Sequence, residues 1–250
     1  MQTEWDYSNL AQAYLKRPDY AASAIDEMLA LAGCRPPAVV CDVGAGVAHL
    51  TLQLAGRGLT VQAVEPNDAM RALGRERTAH LPRVQWSEGS GEQTGQESGR
   101  FDMVTFGSSF NVTDRPAALR ESCRILKKRG WFAALWNHRD LDDPFQQKIE
   151  QIIRDTIPDY DYGTRRQDQT EVIRESGLFG EVIRMEGTIV HAQTPADLVE
   201  AWRSHATLQR QAGARLPAII QAIERLVTET GQQAIPIPYT TRIWMAQAKL

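Results

Sequence analysis

Residues 38–43 (AVVCDV) form an unbroken apolar run with one acid near its end, and Gly44-Ala45-Gly46 follows at once. A run of this kind suits a strand buried on both faces, as in a parallel sheet covered by helices on each side. Two glycines spaced by one residue let the chain turn tightly and bring its backbone close to whatever lies at the strand's end. Everything downstream has to be compatible with that strand and that turn.

The next segments comply. Residues 60–64 (TVQAV), 83–87 (RVQWS), 101–106 (FDMVTF) and 131–136 (WFAALW) read as further strands. Between them, 48–55, 68–79 and 117–126 have helical spacing, with Pro66, Asn67 and Asp68 as a helix start. Ahead of the first strand, 19–32 places Ile25, Met28, Leu29 and Ala32 on one helical face, stopped by Gly33 and Pro36-Pro37. Residues 87–100 (SEGSGEQTGQESGR) are a polar, Gly-rich loop, and Gly130 is read as a helix cap. Strand and helix alternating at this interval imply right-handed βαβ units, hence a doubly wound, mainly parallel α/β sheet. Beyond residue 140 the pattern loosens. Helices are expected at 144–157, 169–176, 195–211 and 215–230, and strands at 181–191 and 238–248. With no linker in sight, residues 1–250 are read as one domain. Residues 1–36 would be N-terminal lid helices, 37–140 a ligand-binding core, 141–235 a helical insertion carrying the strand near 181–191, and 236–250 the last strand.

Charge narrows the partners. Lys plus Arg number 28 against 31 Asp plus Glu, a formal net charge of −3. No basic face is available to replace phosphate counterions, so nucleic acid is not expected as a partner. No apolar run approaches the roughly 20 residues that span a bilayer, and the opening MQTEWDYSNL is too polar for a signal peptide. Cys34, Cys41 and Cys123 are odd in number, far apart and set in apolar stretches. Buried free thiols in a reducing cytoplasm are the expectation, with no metal.

The second strand ends at Glu65, 19 residues past Gly46. A carboxylate there has two acceptor oxygens, enough for both hydroxyls of a ribose. Two nucleotide readings compete. A dinucleotide turn wants G-x-G-x-x-G facing a pyrophosphate, but His49 stands where the third Gly belongs and Asp42 would repel the anion. Asp42 suits a cation instead, such as the amino group of a methionine moiety. S-adenosylmethionine is therefore favoured over a nicotinamide dinucleotide, with a ligand-free turn as the remaining possibility.

Several motifs now align with a known pattern. Tyr14-Leu-Lys-Arg17-Pro18-Asp-Tyr20, Asp42-Val-Gly44-Ala45-Gly46, Ala63-Val-Glu65-Pro66-Asn67-Asp-Ala-Met70, Glu88-Gly-Ser90-Gly91-Glu92-Gln-Thr94-Gly95, Arg124-Ile-Leu-Lys-Lys-Arg-Gly130 and Trp136-Asn137-His138-Arg139-Asp140 occur in order. Together they resemble class I S-adenosylmethionine-dependent methyltransferases, in the small-molecule branch that includes trans-aconitate and natural-product methyltransferases. That resemblance implies a Rossmann-like seven-stranded sheet, mostly parallel with an antiparallel last strand, and a helical insertion over the acceptor site. The chain departs from the pattern at Ser108-Ser109-Phe110-Asn111-Val112, where relatives often carry Q-A-F-H-W. The third motif Gly is Ala48, and Gly91 stands where Ala is usual.

By resemblance, Asp42 faces the methionine amine, Gly44, Ala45 and Gly46 border the methionine tail, and Glu65 holds the ribose. Pro66 or Met70 packs on the adenine, Ser90, Gly91 and Glu92 lie at its edge, and Ser108 touches the methionine backbone. Arg17 forks onto the cofactor carboxylate, or is a surface ion pair. Tyr7 and Tyr14 close the site, or are packing residues. Asn111 and Asn137 are candidate acceptor contacts. His138, after the fifth strand, is the candidate general base, against a structural hydrogen bond to Asp140 or Asn137. Arg165 and Arg166, after Tyr160 and Tyr162 on a Gly-hinged loop, suggest an anionic small-molecule acceptor. The alternative is a solvated loop with both arginines paired to Asp161 and Asp168. The implied activity is methyl transfer by a monomer or homodimer away from membranes; the alternative is a protein that binds S-adenosylmethionine without transfer.

Overall fold

The computed structural model describes residues 11–249, except the side chains at 13, 165 and 206. Seven strands form one sheet in the order β3-β2-β1-β4-β5-β7-β6. The strands are β1 Val39–Val43, β2 Thr60–Val64, β3 Val84–Ser87, β4 Phe101–Gly107, β5 Leu126–Arg139, β6 Phe179–Gln193 and β7 Ile235–Ala248. The first five run parallel, while β7 lies antiparallel between β5 and β6. The helices are α1 Ala11–Tyr14, α2 Ala22–Leu31, α3 His49–Gly56, α4 Asp68–Thr78, α5 Arg115–Ile125, α6 Pro144–Thr156, α7 Thr170–Glu175, α8 Pro195–Arg203, α9 Ala206–Ala212 and α10 Leu216–Glu229.

The β1 run is apolar because β1 is central, paired with β2 on one side and β4 on the other. Its side chains feed two cores. Cys41 and Val43 join Phe106, Phe110, Phe132 and Phe179 on one face, and Val40 joins Ile25, Met28, Leu50 and Leu54 on the other. The α2 face expected from its spacing is buried, except that Ala32 lies just past the helix. Helix starts follow side-chain chemistry: Asn67 accepts from the Met70 amide at 3.0 Å, and Asp114 from the Ala117 amide at 3.0 Å.

Three expectations need correction. Gly130 caps no helix: α5 ends at Ile125 and β5 starts at Leu126, with a register shift before Trp131 pairs with Met103. The helix expected over 195–211 is two helices. His205 begins the second, its Nδ1 accepting from the Leu208 amide at 3.3 Å. The last two strands are longer than expected, and β6 and β7 pair down to Gln193 and Ile235, beyond the last β5 partner at Tyr239. A third core of Ile149, Ile153, Leu198, Trp202, Ile220 and Ile223 packs α6, α8 and α10 against that overhang.

Candidate active site

Open α/β sheets bind ligands at strand carboxyl ends where the order reverses. Here the reversal lies between β1 and β4, and a cleft of about 1770 Å³, its open mouth included, sits there. That space accommodates a nucleoside-sized ligand and a small second molecule.

One wall is the β1 turn. Gly44 and Gly46 have φ of 67° and 55°, the left-handed region that glycine enters freely. A Cβ at Gly46 would meet nothing within 4 Å, so its upper face is open to a ligand. A Cβ at Gly44 would lie 2.4 Å from Ser109 Cβ, so glycine there makes room for the chain's own β4 end as well. Ser109 Oγ donates to the Val43 carbonyl at 2.6 Å and locks the two strand ends together.

Two acids flank the turn. Asp42 is fully buried, accepting from Thr51 Oγ1 at 2.6 Å and Thr105 Oγ1 at 3.1 Å. Burial pushes its carboxyl up to about 7. Glu65 is also buried; its Oε2 accepts from the Gly46 amide and its Oε1 from the Asn67 amide, both at 2.9 Å. Burial raises its pKa as well. Each oxygen thus spends one lone pair holding the turn and keeps another for a ligand hydroxyl.

Tyr14, Lys16, Arg17, Pro18 and Tyr20 of the segment 14–20 line the cleft. Arg17 stacks on Tyr14 with its guanidinium carbon 3.5 Å from the ring centre, and it forms no ion pair among the described residues. His49 reaches Asp19 Oδ1 at 2.9 Å and the Tyr14 carbonyl at 2.8 Å, a local role. Tyr20 and Ser108 hydroxyls meet at 3.0 Å. Asn137 donates to the Pro18 and Asp19 carbonyls at 3.2 and 2.8 Å and accepts from Thr241 at 2.5 Å. Asn137 lines the cleft as expected, and its amide also tethers this segment.

Of the other candidates, Tyr14, Arg17, Ala45, Pro66, Met70, Ser90, Gly91, Glu92, Ser108, His138 and Arg166 all line the cleft. Glu92 also holds the Asp114 amide at 2.7 Å. Asn111 does not line it; its Oδ1 accepts from Trp136 Nε1 at 2.8 Å, so that side chain is structural. Arg166 is not paired to Asp161 or Asp168. It donates to the Arg139 carbonyl at 2.6 Å, while Asp168 takes Arg184 at 2.6 Å and Asp161 caps the Gly163 amide. Tyr7 and the Arg165 side chain lie outside what is described. Sequence reasoning missed Arg139, Gln193, Ser204, His205 and Tyr239, which also line the cleft. They come from four distant elements, and only the Trp-Asn-His-Arg-Asp stretch gave Arg139 any local mark.

The sheet order is that of a Rossmann-like α/β fold with an antiparallel β7. Residues 41–134 match the family model described as a methyltransferase domain. The chain is 33% identical over 159 residues to an uncharacterized methyltransferase of Mycobacterium tuberculosis, covering 63% of each chain. It is 32% identical over 119 residues to the 2-phytyl-1,4-naphtoquinone methyltransferase of Thermosynechococcus vestitus, covering 46% of this chain and 51% of that one. The alignment thus spans less than two thirds of each of these relatives. Among solved structures, it resembles a protein assigned as a type II methyltransferase from Anaeromyxobacter dehalogenans, with a TM-score of 0.65, 18% identity, and 92% and 97% of the two chains covered. Phosphoethanolamine N-methyltransferase 2 of Haemonchus contortus, in complex with S-adenosyl-L-methionine, gives 0.54 at 15% identity, covering 97% and 57%. At these identities the structural likeness concerns the fold. No helix among the described residues is long and apolar enough to cross a membrane, and no cluster of three or more His, Cys, Asp or Glu there would hold a metal.

Proposed function

We propose that the chain binds S-adenosylmethionine in this cleft and transfers its methyl group to a small molecule, leaving S-adenosylhomocysteine. The observation that carries this reading is the pair of buried acids around an open glycine turn, Asp42 and Glu65. A buried carboxylate without a cation is costly, and a ligand carrying an amine offsets that cost at Asp42. Glu65, already anchored by two amides, is pre-organised to take the ribose hydroxyls. Pro66 and Met70 offer the adenine an apolar bed, with Ser90 and Gly91 at its edge. Arg17, without an acid partner among the described residues, is placed for the cofactor carboxylate.

When bound, the sulfonium supplies an activated methyl and a neutral thioether leaving group. The protein's task is alignment and exclusion of water, and the residues of segment 14–20 that line the cleft serve that purpose. An acceptor that must lose a proton would give it to His138, which lines the cleft 4% exposed. A small acceptor suits the far end of the cleft. Cytoplasmic residence, a monomeric or homodimeric state and one domain over 1–250 accompany this reading. Binding without transfer is the second reading, favoured by the 108–112 segment, where Phe110 and Asn111 serve packing.

The test is calorimetric titration of S-adenosylmethionine, followed by incubation of the labelled cofactor with metabolite pools. Binding with label transfer supports the proposal. Binding without transfer to any pool supports the second reading, and absence of binding overturns both.

A further inference from the structure

We propose that Arg139 and Arg166 together seat the oxyanion of the acceptor, so that the molecule methylated is a small acid, a carboxylate or phosphate with a planar apolar body. This rests on the methyl-transfer reading above, but it concerns a different part of the cleft. Arg139 ends β5 and Arg166 lies in the turn 163–166, and a 2.6 Å hydrogen bond from the Arg166 guanidinium to the Arg139 carbonyl makes them one unit. Both line the cleft.

Their surroundings are aromatic rather than acidic. The Arg139 guanidinium carbon lies 4.0 Å from the Trp202 ring centre and 5.8 Å from that of Tyr239, and Arg166 lies 4.7 Å from that of Tyr162. Among the described residues neither guanidinium has an ion pair with an acid. The nearby acid Glu150 is committed: it accepts from the Tyr162 hydroxyl and faces Arg154 at 3.6 Å. The neighbouring Arg242 is paired with Glu186 at 3.0 Å. Arg139 Nε is buried and makes no hydrogen bond.

Two half-buried cations side by side repel each other and lose hydration. Burial, with Arg242 and Arg139 nearby, lowers the Arg166 pKa. Stacking on rings recovers part of that cost, and the planar forks keep N–H groups for a ligand. A carboxylate or phosphate matches a guanidinium fork by two parallel hydrogen bonds. The walls formed by Tyr162 and Tyr239 suit a flat apolar body attached to that anion. A ring-borne acid meets both requirements.

The experiment titrates benzoate, phenyl phosphate and the neutral benzamide into the full chain saturated with S-adenosylhomocysteine, reading Trp202-sensitive tryptophan fluorescence and heat. The proposal expects at least one anion to bind tenfold or more tighter than benzamide. Arg139→Gln and Arg166→Gln should each weaken that anion at least tenfold, and Arg139→Lys should restore part of it. The ranking of benzoate against phenyl phosphate identifies the oxyanion source. S-adenosylhomocysteine affinity should stay within about threefold in every variant, and thermal melts check that each is folded. Failure of wild-type protein to bind S-adenosylhomocysteine defeats the cofactor reading. If S-adenosylhomocysteine binds but neither anion outcompetes benzamide, or the folded Gln variants bind the anion as the parent does, the seat is overturned. A loss of S-adenosylhomocysteine affinity in Arg139→Gln would instead assign Arg139 to the cofactor carboxylate and also overturn it.

Discussion

Asp42 is where burial and charge conflict most sharply. Its carboxyl, pushed up to about 7 by burial, favours the neutral form in the folded, unliganded chain. In the unfolded chain the same group ionises near ~3.9. Its contribution to stability is therefore full below that value and is lost as pH rises through about 7. A cationic amine in the cleft reverses the preference and makes Asp42 shed its proton. Affinity for S-adenosylmethionine should thus tighten as pH rises from about 6 to about 7.5, with protons released on binding. Calorimetry at pH 6.5 in buffers of different ionisation heat reads that release. Asp42→Asn preserves the shape beside Thr51 and Thr105, and should flatten the pH dependence while weakening binding. Binding with no proton release would remove Asp42 from the amine. At Glu65 the corresponding change, Glu65→Ala, removes both ribose acceptors and frees the Gly46 and Asn67 amides. At roughly 1.5–3 kcal/mol per charge-assisted bond, losing both makes affinity about a hundredfold weaker or more. Unchanged calorimetric affinity would show that the ribose lies elsewhere.

The β1 turn connects two elements, and its tolerance is a matter of packing. In Gly44→Ala the added methyl would sit 2.4 Å from Ser109 Cβ, on a backbone at φ 67°. Truncating the opposing side chain in Gly44→Ala/Ser109→Gly removes the clash and leaves the backbone strain, which costs roughly 1–2 kcal/mol in the left-handed region. The double variant should therefore melt higher than Gly44→Ala alone and below the parent. A double variant no better than the single would show that conformational strain, rather than Ser109, makes glycine necessary. The turn itself was legible because glycine spacing and strand apolarity are local signals. So were β1 to β4, each a short apolar run bounded by turn residues. The start of β5 was not: Lys127-Lys128-Arg129 reads as polar surface, and the strand passes a register shift with Arg129 at φ 59°. The α8–α9 break was equally hidden, because Ser204-His205 contains neither Gly nor Pro. The tertiary partners of Asn111 and Asn137 were hidden for a related reason. Their partners, Trp136 and the 18–19 carbonyls, are fixed by tertiary packing that no spacing rule reports.

For the whole molecule, the question is whether the helical cap and the glycine turn unfold together. Two cores face the sheet, one on each side, while the third packs α6, α8 and α10 on the β6–β7 overhang. The same two long strands enter both regions, because β7 pairs with β5 over Tyr239–Gln247 and continues to Ile235. Loss of the cap core therefore reaches the sheet through β7, and the one-domain reading expects a single transition. Ile223→Ala in the cap and Phe132→Ala on β5 both empty fully buried positions. Such deletions cost about 2–5 kcal/mol, which for a chain of this size lowers Tm by roughly 4–20 °C. Calorimetric scans of either variant should show one peak at the lowered temperature. S-adenosylmethionine at a hundredfold its Kd should stabilise both by about 2.7 kcal/mol, because it binds the folded turn whichever core was weakened. A second, earlier peak in Ile223→Ala that does not move with ligand would make the cap a separate unit. In that case the acceptor wall and the cofactor wall would open independently, and the chain would be two domains joined by one ribbon.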